Sequence, residues 1–421
     1  GGAADRVSAA CTIVGAGPVG TLMALLLARR GRRVRLLERR ADPRRSAPEQ
    51  GRSINLALAA RGIAALEQAG LMDRVRGQMV SMPGRMLHDT DGQLQFLRYG
   101  QNDAEAIHAV SRERLNRTLI EAAAAQPGIE LQFNARCIDA DPHSGELQIQ
   151  DEPGGGVSSL RFELLLAADG AGSAVRAALA RRGLGEVREE LLAHDYKELT
   201  IAAGDSDGPA GNGNGATPAS AGARAPRYLF EPHALHIWPR GGYMLIALPN
   251  IDGSFTATLF LPRHGDPGFD HLQEPEAVRA FFRQQFADAA AVTGALERQF
   301  AEHPQGRLGT VHCARWHFGA RVLLLGDAAH AIVPFHGQGL NCGFEDCWLL
   351  DRLLHEQGYT GAALAQFEQQ RRPDTEAIAA MALENYVEMR DGVRSAQFAP
   401  RRALAAQLER AFPGRFIPSY S

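Results

Sequence analysis

At 421 residues and 45% apolar side chains, the chain is long enough for two joined domains and ordinary in composition for a folded globular protein. Its 45 basic and 48 acidic residues leave a net charge of −3, which excludes a global field that recruits nucleic acid. Five cysteines without a CxxC spacing exclude a disulfide framework and are expected to be reduced thiols of a cytosolic protein, and no apolar run approaches the ~20 residues that span a bilayer.

The chain opens on Gly1-Gly2 without an initiator methionine, which reads as an appended start, and no secretory signal is visible. Thr12-Ile13-Val14 reads as a buried strand, and Gly15, Gly17 and Gly20 follow it as GxGxxG. A helix from Thr21 to Arg30 and a second strand from Arg33 to Leu37 come next, closed by Glu38. In that order the glycines have distinct uses: a tight turn at Gly15, backbone approach of a pyrophosphate at Gly17, and close helix–strand packing at Gly20. The helix N-terminus offers unpaired N–H groups to phosphate, and Glu38 is placed to accept from ribose hydroxyls. This is a dinucleotide site; the motif does not say which dinucleotide.

Arg61 to Ala69 is expected to be helical, and Pro83 to Tyr99 alternates around the hairpin signal Asp91-Gly92. Ser111 caps a helix running to Ala124, Ile129 to Ile149 reads as sheet, and Phe162 to Ala168 reads as a buried strand ended by Asp169-Gly170. Residues 204–226 are rich in Gly, Ala, Pro, Ser and Asn and are expected to form a mobile surface loop without chemistry. Leu235–Trp238, Tyr243–Leu248 and Phe255–Leu261 then read as an antiparallel sheet. Pro275 to Phe300 reads as helix, Val322 to Leu325 as another buried strand before Gly326-Asp327, and Asn341–Leu354 and Thr360–Arg390 as long helices. The arginine clusters Arg39, Arg40, Arg44, Arg45 and Arg371, Arg372 sit among acids and read as phosphate neighbours or a solvated face.

An acid at the C-terminal end of a strand in an α/β sheet sits where ligands bind, so Asp327 is a candidate for a polyol chain, with a helix N-cap as the plain alternative. Gly15-Gly17-Gly20 with Glu38, then Asp169-Gly170, then Gly326-Asp327 resembles the class A FAD-dependent aromatic monooxygenases. Three stretches, GRSINL at 51–56, LHIWPRGGYMLIALPNIDGSFTATLFL at 235–261 and IVPFHGQGLNCGFED at 332–346, narrow the resemblance to the kynurenine-hydroxylating branch. The resemblance implies an α/β fold: a Rossmann-type FAD-binding domain, split in sequence, with an inserted antiparallel-sheet substrate domain and C-terminal helices. The expected division is FAD-binding at 1–80, a substrate-domain hairpin at 81–110, FAD-binding at 111–185, a substrate sheet domain at 186–305, FAD-binding at 306–370 and a helical segment at 371–421. The family's eukaryotic membrane-anchoring tail has no counterpart, which implies a soluble, bacterial-type enzyme.

The same resemblance assigns Gly15, Gly17, Gly20, Glu38 and Arg39 to the adenosine and pyrophosphate of FAD, and Arg112 to a flavin contact. It assigns Asp327 to the ribityl chain, and Gly337, Gly339, Leu340 and Asn341 to the isoalloxazine ring. Arg85 and Tyr99, on the two arms of the Asp91-Gly92 hairpin, would hold the amino-acid carboxylate. Phe255, Pro334, Phe335 and His336 would line the aromatic pocket, with Asn385, Glu388, Met389 and Tyr420 closing its far side. Phe255 and Met389 are equally readable as plain core, Arg112 as a helix-surface charge, and His336 as a core histidine; no partner at ligand spacing makes His336 a metal site.

The implied reaction hydroxylates L-kynurenine to 3-hydroxykynurenine, a step of tryptophan degradation. NADPH reduces the flavin, O2 is activated there, and one oxygen atom goes to the ring carbon ortho to the amino group. That amino group already enriches the ring, so no general base is singled out and no catalytic residue is assigned. The alternatives are another class A hydroxylase of salicylate type and a non-catalytic FAD-binding redox sensor.

Overall fold

The structure, a computed structural model, describes residues 11–45, 55–100, 105–204, 227–391 and 407. Residues 51–54 of the GRSINL stretch, nearly all of the 204–226 stretch, and Tyr420 lie outside the described residues.

The chain begins with β1 (Cys11–Val14), α1 (Pro18–Arg29) and β2 (Val34–Leu37). Then come β3 (Asn55–Leu58), α2 (Ala60–Gln68), α3 (Met72–Arg76), β4 (Val80–Met82), the hairpin β5 (Gly84–His88) and β6 (Leu94–Arg98), and β7 (Ile107–Ser111). After α4 (Arg112–Ala124) and β8 (Ile129–Gln132) a meander follows, β9 (Ala135–Asp141), β10 (Glu146–Asp151) and β11 (Val157–Arg161), and then β12 (Leu165–Ala167) and α5 (Ala174–Arg181). A long β13 (Val187–Ile201) leads to β14 (Leu235–Pro239), β15 (Met244–Pro249) and β16 (Phe255–Pro262). Three helices, α6 (Pro275–Gln285), α7 (Ala287–Val292) and α8 (Leu296–Glu302), precede β17 (Gln305–Cys313), β18 (His317–Phe318) and β19 (Val322–Leu324). The described chain closes with α9 (Asp327–His330), α10 (Gly339–Gln357) and α11 (Gly361–Arg390).

One six-stranded sheet, in the order β18-β19-β12-β1-β2-β8, is parallel except for β18. β1, β2, β12 and β19 are buried at every residue, as strands of a parallel sheet covered on both faces are, and Thr12 and Arg35 are their only polar residues. α1 is buried at all but two of its positions, and its leucines share one core with α10 and the meander residues Cys137, Leu147 and Ile149. Ser111 caps α4 by accepting from the Arg114 N–H at 3.4 Å.

A second sheet has seven strands, in the order β17-β13-β16-β15-β14-β5-β6. It departs from the purely antiparallel expectation: β5 pairs with β14 in parallel, Leu235 opposite Arg85, so the early hairpin becomes its edge. β16 shows the two-residue period, with Phe255, Ala257, Leu259 and Leu261 packing on α6 to α8 and Thr256, Thr258 and Phe260 on the other face. The single expected helix from 275 to 300 is broken where Phe286 (φ −140°) and Ala295 (φ 50°) leave helical geometry. The buried strand expected from 162 is confined to β12, because the Phe162 N–H turns away to the Gly145 carbonyl at 2.9 Å. β13 and β17 carry mixed polar and apolar residues and gave no sequence signal. All five cysteines are buried and unpaired by disulfides, and no described helix is long and apolar enough to cross a membrane.

Candidate functional site

A cavity of about 380 Å³ lies between the two sheets. Its wall at the parallel sheet starts from the glycine turn. Gly15 has φ +101° and donates its N–H to the Leu37 carbonyl at 2.8 Å; a Cβ there would meet the Ala168 carbonyl oxygen at 2.4 Å. A Cβ on Gly20 would stand 1.9 Å from the Gly15 oxygen, so this glycine lets α1 pack onto the turn. A Cβ on Gly17 would meet nothing within 4 Å, and Gly17 lines the cavity with Pro18 and Val19. The space over Gly17 at the start of α1 is open to close approach by a phosphate group. Glu38 closes the turn: one carboxylate oxygen accepts from the Ala16 N–H at 2.9 Å and the other from the Arg40 N–H at 3.0 Å. Arg39 is exposed beside it.

Asp327 faces the cavity from the start of α9, Gly337 from the loop before α10, and Gly339 and Leu340 from the start of α10, whose first N–H groups have no intrahelical partner. A buried ion cluster fixes this loop. Asp346, 0% exposed on α10, accepts from the Gly326 N–H at 3.2 Å and the Arg371 Nε at 2.8 Å, and pairs with His330 Nε2 at 2.5 Å. Burial would raise the Asp346 carboxyl, but His330 and Arg371 hold it below the ordinary range. Arg371 is therefore a buried node of the core and not a solvated face. The Asn341 side chain accepts from the Ala59 N–H and donates to the Ala57 and Gly337 carbonyls, each at 2.9 Å, so it ties the start of α10 to β3 and leaves only its backbone for a ligand.

At the other end, β5 brings Arg85 to the wall, 1% exposed, and Tyr99 follows from beyond β6. Arg85 donates to Glu388 Oε1 of α11 at 2.8 Å. On the same strand His88 bonds His236 of β14 at 2.8 Å and Asp288 of α7 at 2.6 Å, and Arg240 donates to its carbonyl at 3.0 Å, so the hairpin is pinned to the sheet beside it. Burial pushes His236 down to about 4, which keeps it neutral. Pro334, Phe335, Asn385 and Met389 line the cavity; Asn385 donates to the Phe335 carbonyl, and Phe335 stacks on Tyr386 with ring centres 4.0 Å apart.

Phe255 does not line the cavity. It is 0% exposed on the opposite face of β16, edge-on to Tyr228, Phe230 and His236. The alternation of the strand gives its neighbours Thr256, Thr258 and Phe260 to the wall instead. Glu388 touches the site through Arg85, and the side chain of His336 and all of Tyr420 lie outside the description. Arg112 lines the cavity from the first residue of α4. The sequence reading missed Tyr196 and Glu198 of β13 and Arg307 of β17, all on the wall. The mixed polar and apolar sequences of β13 and β17 gave no signal for them. Burial raises the Glu198 carboxyl to about 7 against the pull of Arg112.

The residues present fit FAD: a glycine turn open over Gly17, an acid at the end of β2, a carboxylate at Asp327 on the cavity wall and helix-terminal N–H groups at 339–341. A family model described as an FAD binding domain matches residues 8–196 and 239–382. The chain is 46% identical over 417 residues to a kynurenine 3-monooxygenase of Stenotrophomonas maltophilia (strain K279a), covering 99% of this chain and 87% of that protein. It is 45% identical over 410 residues to one of Myxococcus xanthus (strain DK1622), covering 97% and 84%. This chain belongs to the kynurenine 3-monooxygenase family. It is an FAD-dependent aromatic monooxygenase. The fold is shared beyond the kynurenine 3-monooxygenase family. A p-nitrophenol 4-monooxygenase from Pseudomonas putida DLL-E4 matches with a TM-score of 0.69 at 20% identity, covering 95% of this chain and 94% of that one. A 2-methyl-3-hydroxypyridine-5-carboxylic acid oxygenase matches at 0.67 and 19%, covering 98% and 95%.

Proposed function

We propose that this chain hydroxylates L-kynurenine to 3-hydroxykynurenine with NADPH and O2, in tryptophan degradation. The observation that carries the reading is Arg85, buried in the cavity wall at the end where Leu235, Phe260, Pro334, Phe335 and Met389 supply apolar surface, with Tyr99 on the same wall and Glu388 at 2.8 Å. Kynurenine is an α-amino acid on an aryl ketone. Arg85 takes the carboxylate in a two-pronged hydrogen bond, with the Tyr99 hydroxyl as second donor, and Glu388 takes the ammonium. The kynurenine 3-monooxygenases named above support this substrate.

When bound, FAD supplies the oxygen-activating chemistry. The chain holds it through the turn at Gly17, Glu38 and Asp327, with Arg39 and Arg112 as cations and the start of α10 against the ring. Phe260, Pro334, Phe335 and Met389 surround the substrate ring and keep water from the reacting face. Asn385 fixes the Phe335 backbone and so sets the height of that wall. The ring amino group supplies electron density ortho to itself, so these residues orient and exclude rather than abstract a proton. The experiment is product identification after mixing purified holoenzyme with L-kynurenine, NADPH and O2. 3-Hydroxykynurenine formed in step with NADPH oxidation is the expected result; NADPH oxidation yielding only peroxide overturns it.

A further inference from the structure

Glu198 is 5% exposed on β13 and lines the cavity, yet its Oε2 has no hydrogen-bond partner among the described residues. A buried acceptor left unmade costs a fold about 1–3 kcal/mol, and more when charged. The strand itself does not need it. Its backbone ladder to β16 is complete, Glu198 opposite Thr258, and His303 Nδ1 donates to the Glu198 carbonyl at 2.7 Å, leaving the carboxyl unused. A leucine would fill the same position without that penalty. Nor is the carboxyl paired with the substrate-end arginine. β5 and β13 are four strand spacings apart, roughly 19 Å along the sheet, so Glu198 and Arg85 address opposite ends of whatever lies between them.

We propose that Glu198 is a ligand-recognition residue whose carboxylate accepts a hydrogen bond from an N–H of the molecule filling the cavity. Two occupants carry that chemistry: the imide N–H of the flavin ring and the arylamine of the substrate. The second rests on the functional reading above; the first does not. The groups facing Glu198 fit an acceptor role. Arg112 comes from α4 and Arg307 from β17, Tyr196 stands on its own strand, and Thr258 lies beside it on β16; Arg85 and Asp327 face the same cavity from β5 and α9. Neither arginine reaches it as an ion pair among the described residues. Burial holds the carboxyl near neutrality, so it accepts fully above about pH 7 and turns donor below it.

The test uses the FAD-loaded enzyme with Glu198→Gln and Glu198→Leu, the isosteric glutamine guarding against a folding failure of the leucine. FAD release on dilution is followed by flavin fluorescence. Binding of L-kynurenine, and of its analogue lacking the ring amino group, is followed by flavin absorbance from pH 6 to 8.5. Faster FAD release by roughly tenfold or more in Glu198→Leu, whatever happens to kynurenine, assigns the donor to the flavin. Unchanged FAD release with kynurenine affinity roughly ten- to a hundredfold lower, and the deaminated analogue unaffected, assigns it to the arylamine. In either case the wild-type affinity concerned weakens as pH falls through about 7 and the Glu198→Gln profile is flat. Both ligands held as in wild type by both variants overturns the proposal. If the wild-type enzyme fails to bind kynurenine, the functional reading fails while FAD release still decides the role of Glu198.

Discussion

Arg85 is buried to 1%, but its partner Glu388 is 43% exposed, and that asymmetry decides what a substitution does. Removing the arginine leaves Glu388 able to turn to water, so the fold survives while the ligand loses a charged donor. Hydrogen bonds to charged groups contribute about 1.5–3 kcal/mol, and about 1.4 kcal/mol is a factor of ten. Arg85→Met is therefore expected to weaken kynurenine binding by roughly ten- to a hundredfold with the flavin spectrum unchanged. Tyr99→Phe should weaken it less, because only a neutral donor goes. Titration of each variant by flavin absorbance checks both; an unchanged affinity in Arg85→Met would remove the carboxylate's partner. Arg85, Tyr99, Pro334, Phe335, Asn385 and Met389 were legible in sequence and line the cavity. Phe255, assigned from the resemblance, falls on the opposite face of β16, where one residue along the strand changes the side.

At the scale of the element, the turn from β1 into α1 separates two glycines that look alike in the motif. A methyl on Gly20 drives into the Gly15 carbonyl at 1.9 Å, whereas one on Gly17 enters open cavity. Gly20→Ala is expected to lower thermal stability sharply. Gly17→Ala is expected to leave the urea midpoint of the protein nearly unchanged while accelerating FAD release; equal stability losses in both would show that Gly17 also packs. The loop carrying Asp327 is held differently, by the Asp346 cluster. Breaking a buried pair costs about 3–5 kcal/mol. Asp346→Ala, which strands Arg371 and His330, should therefore lose stability and FAD together, whereas Asp327→Ala should lose FAD with stability preserved. Denaturation midpoints alongside FAD release distinguish the two.

For the whole molecule, acid stability follows from histidines buried on different elements. Burial depresses His108, His194 and His236, the last to about 4. Each takes its proton at lower pH in the fold than in the unfolded chain, where it titrates near 6.5, so the unfolded state binds more protons and stability falls as pH drops below about 6.5, down to about 4 for His236. The Asp288 and Asp346 carboxylates, held low by their partners against burial, add to the loss at still lower pH. Glu198 and Asp169 oppose it, since burial raises both and the fold gains from protonating them. Urea midpoints are expected to fall on acidification below about pH 6.5, and less in a variant with His236→Gln, which removes the most depressed of the three histidines. An equally steep fall in that variant would contradict the histidine account.

By itself the sequence determined the nucleotide end of the protein, because that end is local: the strand, the glycine turn, the helix and the acid are neighbours in the chain, and backbone sterics specify them without help. The DG hairpin belongs with it, although Asp89, accepting from the Asp91 and Gln93 N–H groups at 2.8 Å, turned out to tie the turn that Gly92 bends. What only the tertiary structure decided is non-local. β5 pairs in parallel with a strand 150 positions later, Leu235 opposite Arg85 (235 − 85 = 150), and no periodicity announces such a partner. Arg371 reads as surface charge until Asp346 is brought to it from α10. Glu198 reads as one acid in a mixed strand until the opposite wall closes over it, because burial, which gives a carboxyl its chemistry here, is a property of the packed sheet pair and not of the residue.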